Sequence, residues 1–266
     1  MSVQTAAGTT TEADIPKTAA SRQRFWEVDT MRGVAIVTMV HFHLMWSLWY
    51  FGVTPHINWW TGFWKYYQRS IACSFLILAG VSLTLSYQAA VQRRGSSAGL
   101  FPKFLKRGLK VFGWGMVFSL VVWAIGIGYV HFGVLHLIGF SIVAAYPLLR
   151  YRWPNFFLWL AFFIAGYFLQ DVTVTVPWFA WLGFEPANFA PLDRFPVIPW
   201  FGVVLLGVFF GNTFYGPQDR RFYLPDWGDF APFRFLQFLG RHSLIIYLIH
   251  QPIIFATLFA LGLAQI

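Results

Sequence analysis

The chain has 266 residues, of which 58% are hydrophobic, 21% aromatic and only 11% charged, with a formal net charge of +9. A soluble domain carries about 25% charged residues, so a water-soluble globular class is excluded. The single cysteine, Cys73, excludes an intramolecular disulfide and any cysteine-based metal site.

In chain order, residues 1–24 are polar, rich in Thr and Ala, and contain no apolar core of a signal peptide. They are expected to form a disordered cytoplasmic tail. Residues 25–266 are expected to form one membrane domain. Seven apolar runs follow, at 31–52, 69–90, 108–129, 133–149, 155–170, 196–214 and 238–262. A helix needs about 20 apolar residues to cross a bilayer. Transmembrane strands would alternate apolar and polar residues, which these runs do not do. The expected fold is all-α: a polytopic membrane bundle of about seven transmembrane helices.

Charge gives the expected orientation. With seven spans, sixteen of the 19 basic residues fall on one side. They lie in the tail and its border (Lys17, Arg22, Arg24, Arg32), in segment 91–110, and in the fourth and sixth connections. The positive-inside rule then places the N-terminus in the cytoplasm and the C-terminus outside. A basic cytoplasmic face suits anionic lipid headgroups and equally an anionic compound arriving from the cytosol. The longest outer connection, 171–195, is rich in Trp, Phe and Pro and carries Asp171, Glu185 and Asp193. Such a segment suits either an interfacial aromatic belt or a platform for sugar rings.

The ionisable residues inside the runs are the candidates for chemistry. At 1.5 Å rise per residue, His43 lies roughly 16 Å from Arg32 along a helix, about halfway across a hydrocarbon core of about 30 Å. An ionisable group at that depth is a functional-site hypothesis. Eleven steps of 100° come close to whole turns, so Arg32, Met39 and His43 share one stripe. His41 then faces elsewhere, with a neighbouring helix's carbonyl as its expected partner. His136 lies just inside the outer end of the fourth run. His250 lies in the seventh run, two residues before Pro252, which is expected to bend or open that helix. His242 lies near the cytoplasmic end beside Arg241. From spacing alone these histidines could be bases, nucleophiles, haem or metal ligands, or polar contacts between helices.

Four stretches carry a resemblance: EVDTMRGVAIVTMVHFH, SFLILAGVSLTLS, FGVLHLIGFSIV with FPVIPWFGVVLLGVFFG, and LGRHSLIIYLIHQPII. Spanning residues 27–254, they resemble the heparan-alpha-glucosaminide N-acetyltransferase catalytic-domain family. The Arg32 to His43 spacing is also similar to that of the acyltransferase-3 group. One departure is Ser47, where bacterial relatives carry an acidic residue. The resemblance implies a transmembrane acyltransferase in the plasma (inner) membrane of a bacterium or archaeon. Acyl-CoA, acetyl-CoA foremost, would be the donor from the cytoplasmic side, and a sugar or other hydroxyl or amine on the outer side the acceptor. It implies no metal, haem or nucleic acid. His43 matches the family's catalytic histidine, which would act as a general base or as a transient acyl carrier. Arg32, His242 and Ser243 would face acyl-CoA, and His136, Asp193, Trp200, Tyr247, His250 and Gln251 would face the acceptor. Two other classes compete: a small-molecule or lipid transporter, suggested by the proline-broken seventh run, and a membrane cytochrome with paired histidines.

Overall fold

The computed structural model describes residues 24–264 apart from 171, 176, 188 and 218. The expected tail lies outside the described residues except for Arg24, and so does Asp171. The described chain is mostly helical. Its helices are α1 (Trp26–Tyr50), α2 (Gly62–Arg94), α3 (Phe101–Ala124), α4 (Val134–Ala144), α5 (Trp153–Leu169), α6 (Val197–Phe214), α7 (Ala231–Arg241) and α8 (Ser243–Ala260). Four very short strands lie between them: β1 (Val130–Phe132), β2 (Thr173–Val174), β3 (Glu185–Pro186) and β4 (Asp193–Arg194).

Every apolar run holds a helix, but two runs are divided. In the fourth, α4 stops at Ala144 and a 3-10 turn covers Tyr146–Leu148. Pro147 lacks the N–H that would continue the helix. In the seventh, residues 238–241 finish α7, His242 leaves the helical conformation (φ −99°, ψ 13°), and α8 begins at Ser243. That corner lets both helices pack on α1. Pro252, expected to bend or open α8, does not interrupt it: the helix runs through the proline. One hydrogen bond is lost there, yet both flanks are held on α1, His250 against His43 and Phe255 against Phe51.

Helices α1, α2, α6 and α8 are long and apolar enough to cross a membrane, and α4 and α5 are shorter apolar helices. The outer faces of α3, α5 and α8 expose Leu120, Trp123, Phe163, Phe168, Ile249 and Ile253. Apolar patches of that extent are not left facing water, so the chain is an integral membrane protein. Lipid offers little driving force between apolar helices, so close approach at small residues takes over. A Cβ on Gly80 of α2 would strike the Val204 carbonyl of α6, and one on Gly207 would strike the Ile77 carbonyl of α2. Gly33 of α1 meets Leu236 of α7 in the same way, and Gly240 meets Asp29. The main core, with Leu76, Phe104, Leu137 and Leu205 at its centre, fills the space between α2, α3, α4 and α6.

Contacts between connections show that successive long helices run antiparallel. At one end, Asn212 donates to the Leu149 carbonyl, and Glu27 holds Arg220 through two hydrogen bonds of 2.7 and 2.8 Å. At the other, β1 pairs in parallel with β4, and Phe51 packs on Phe255 and Phe259. The first end carries the basic residues and is called the basic end below; the second is the loop end.

Candidate active site

A cavity of about 1560 Å³ runs between α1, α2, α3, α4 and α8. Arg24, Arg107, Lys110 and Arg241 line its basic end, and Phe189 and Leu192–Phe195 line its loop end. Between these ends its wall includes His43, Tyr247, His250 and Gln251.

The two histidines meet across the α1–α8 seam, with ring centroids 4.7 Å apart and planes at 76°. Helix geometry fixes each ring locally. An interior helix position presents the carbonyl of the preceding turn, and both rings reach one. His43 Nδ1 lies 2.9 Å from the Met39 carbonyl, and His250 Nδ1 lies 2.7 Å from the Tyr247 carbonyl. A carbonyl only accepts, so both Nδ1 atoms carry the proton and both Nε2 atoms carry the lone pair. The seam is pinned close by: Gln251 donates to Ser47 Oγ at 3.0 Å, and Ser47 donates to the His43 carbonyl at 2.7 Å. The same contact argues against a bis-histidine haem. A porphyrin must pass between its two axial ligands, and rings this close leave no room for it.

At the basic end, Arg32 donates to Asp29 at 2.9 Å, to Ser82 Oγ at 2.7 Å and to the Gly240 carbonyl at 3.4 Å. Asp29 also faces Arg241 Nε at 3.5 Å. These bonds engage the Arg32 guanidinium in fastening α1, α2 and α7 together beside the cavity.

At the loop end, Asp193 Oδ2 accepts the Val134 N–H at 3.2 Å, capping the start of α4. Burial pushes its carboxyl up to about 6, against the opposing pull of backbone hydrogen bonds from Val134 and Arg194. His136, 3% exposed, stands next to it in the chain fold but turns away from the cavity. Its Nδ1 accepts the Gly133 N–H at 3.2 Å, and its ring packs on Phe112 with centroids 5.0 Å apart.

Of the residues singled out in the sequence, Arg32, His43, Asp193, Ser243, Tyr247, His250 and Gln251 line the one cavity. Three do not. His136 is enclosed between α3 and α4, Trp200 packs edge-to-face on Phe195 with centroids 5.0 Å apart, and His242 lies exposed against Phe238. His41 bonds the hydroxyl of Tyr67 on α2 at 3.1 Å, not a carbonyl. The 171–195 segment divides between its two expected uses. Phe189 and Asp193 face the cavity, while Trp178 and Phe179 are exposed on the outside. Residues not anticipated include Asp29 and Ser82. Asp29, three positions before Arg32, carried a readable signal as an i,i+3 ion pair.

A family model described as heparan-alpha-glucosaminide N-acetyltransferase, catalytic, matches residues 24–252. The chain belongs to the heparan-alpha-glucosaminide N-acetyltransferase catalytic family. No curated protein and no solved structure gave a match. Membership makes this integral membrane protein a transferase of the acetyltransferase kind. The matched stretch runs from α1 through the first half of α8, so both His43 and His250 fall within the heparan-alpha-glucosaminide N-acetyltransferase catalytic region.

Proposed function

We infer that the protein moves an acetyl group from cytoplasmic acetyl-CoA to a sugar, or to another hydroxyl or amine acceptor, on the far side of the plasma membrane of a bacterium or archaeon. Residues 25–266 act as one unit that crosses the membrane seven times, through α1–α6 and α8, with the N-terminus in the cytoplasm. The observation that carries this reading is the cavity that reaches from Arg24, Lys110 and Arg241 past His43 to Asp193. A polyanionic donor suits the basic end, and a polar acceptor suits the carboxyl at the loop end. His43 lies between them, with a lone pair on Nε2.

In the transfer step His43 acts as general base. The acceptor O–H or N–H bond breaks and its proton goes to Nε2, while the acceptor atom bonds to the thioester carbon. The carbon–sulfur bond then breaks, and the CoA thiolate leaves and takes a proton from the imidazolium. Arg32 contributes by holding α1 in register with α2 and α7, and Asp193 holds the acceptor. The heparan-alpha-glucosaminide N-acetyltransferase relationship supports an acetyl group as the cargo.

The test uses sealed proteoliposomes with labelled acetyl-CoA on one side and glucosamine on the other. Labelled N-acetylglucosamine on the acceptor side is the expected result. Glucosamine flux that proceeds without acetyl-CoA, and with no acetylated product, would instead make the protein a transporter.

A further inference from the structure

Helices α3 and α8 form two walls of the cavity, but they pack on other partners, α3 on α4 and α8 on α1. Phe118 and Tyr247 approach each other across the space between them, with ring centroids 6.4 Å apart. Both helices run from the basic end to the loop end, so Val121 and Pro252 stand on the loop side of that pair. Both line the cavity. Val121 lies four residues after Val117 and only about 40° further round α3. The two are 51% and 50% exposed, yet Val117 faces outside the cavity. Pro252 lies seven residues after Ile245 and within about 20° of it on α8, and Ile245 is likewise exposed outside the cavity. At both rims the cavity wall therefore passes straight into the lipid-facing surface. The result is a sideways gap edged by Val121 and Ile125 on α3 and by Pro252 and Phe255 on α8. Pro252 follows His250 and Gln251 directly, so the gap opens at the depth of the two histidines. The loop end is less inviting to a polar molecule. Phe189, Pro191 and Leu192 line it, and they are fastened there: the Leu192 N–H donates to the Tyr129 carbonyl at 3.0 Å, and Phe189 packs on His131 with centroids 4.9 Å apart.

We propose that the acceptor is an amphiphile, a sugar head on an alkyl tail, and that it enters from the loop-end leaflet through the gap between α3 and α8. The head reaches His43 and Asp193 while the tail stays among Val121, Ile125, Pro252 and Phe255. The proposal rests on the acetyltransferase reading of this cavity. A single amphiphile matches both chemistries of the wall, polar groups inside and apolar side chains at the rim. Lipid already keeps the tail out of water, so the tail adds little binding energy of its own. Its effect is to hold the head in the membrane plane beside the gap, which raises the effective concentration of the acceptor.

The test uses proteoliposomes with labelled acetyl-CoA on one side and methyl or dodecyl glucosaminide on the other. For the wild type, kcat/KM counted by total concentration should be at least about tenfold higher for the dodecyl compound, because the bilayer collects it beside the gap. Val121→Trp, which places an indole in the gap, should lower the dodecyl-to-methyl ratio about tenfold, the scale of overpacking a filled space. Val117→Trp, on the outer face of the same helix, should leave the ratio unchanged. Each ratio is taken within one preparation, so any loss of folded protein cancels from it. A wild-type ratio near unity would overturn the proposal. So would a Val121→Trp variant that slows both acceptors alike, the result expected if a second copy of the chain were seated in the gap. The parent reading fails separately: if the wild type acetylated neither glucosaminide, the acetyltransferase reading would fall, and the proposal with it.

Discussion

His250 and His136 are both buried histidines on apolar helices, and they carry their protons on opposite nitrogens. His250 lies in the interior of α8, where the neighbouring backbone group is a carbonyl, so its Nδ1 donates. His136 lies at the third position of α4, where the first-turn N–H groups have no helical partner. Its Nδ1 accepts the Gly133 N–H and Nε2 carries the proton. Position along a helix thus selects the tautomer, and the tautomer selects the chemistry. A histidine held by a carbonyl keeps a basic nitrogen available, whereas one held by an N–H has spent its basic nitrogen on the fold. His43 belongs with His250, and both line the cavity. His136 does not line it.

The largest expected effect tests the first half of that contrast. His43→Ala should reduce acetyl transfer by about 10²- to 10⁴-fold, the usual contribution of a positioned general base. Acetyl-CoA binding should survive, as followed by equilibrium dialysis with the labelled donor. Retained transfer would remove the link between this tautomer and catalysis. The next effect concerns the basic end. Replacing Arg24 and Lys110 together with Gln should raise KM for acetyl-CoA by about tenfold at low salt and by less at high salt, because exposed charges are screened. A KM indifferent to both substitutions and to salt would place the donor elsewhere.

Asp193 offers a smaller effect with a defined sign. Its carboxyl stands at about 6 in the folded protein, against 3.8 ordinarily, so the fold favours the protonated form. That contribution is complete below about 3.8 and is lost as pH rises through about 6. The melting temperature in detergent should therefore fall between pH 5 and pH 7, by an amount equivalent to about 1 kcal/mol. Asp193→Asn should remove this part of the slope. An unchanged slope in the variant would assign the pH dependence to other groups.

How much of this could be read from the chain depended on distance along it. The seven apolar runs located a helix each, because membrane length and hydropathy act locally. The common stripe of Arg32 and His43 followed from helical pitch alone. Helix α7 was not visible, since APFRFLQFLGR is too short and too mixed to register as a span, and its docking depends on Gly33 and Gly240 meeting across the fold. The pairing of His43 with His250, on the first helix and the last, has no local signature. It depends on α8 lying against α1, which Gln251 and Ser47 fix only in three dimensions. Arg32 illustrates the opposite limit. Its presence at the mouth was legible, but its engagement by Asp29, Ser82 and Gly240 was not, and that engagement makes it a fastener of helices.

The smallest effect on activity is expected at His136, and it separates a structural histidine from a catalytic one. His136→Phe leaves the Gly133 N–H buried without its acceptor, at a cost of about 1–3 kcal/mol, and the melting temperature should drop accordingly. His136→Gln should restore much of the loss, because a glutamine at the third helical position can also accept an N–H from the residue preceding the helix. Transfer by the folded protein should remain within a factor of about three of the wild type, a barrier change below about 1 kcal/mol. The two variants differ in their ability to accept a hydrogen bond, and neither can serve as a base at this position. A catalytic His136 would therefore lose activity in both, whereas a capping His136 loses stability only in the phenylalanine variant. If kcat fell by 10²-fold or more in His136→Gln while its melting temperature held, the division of the buried histidines by tautomer would be wrong.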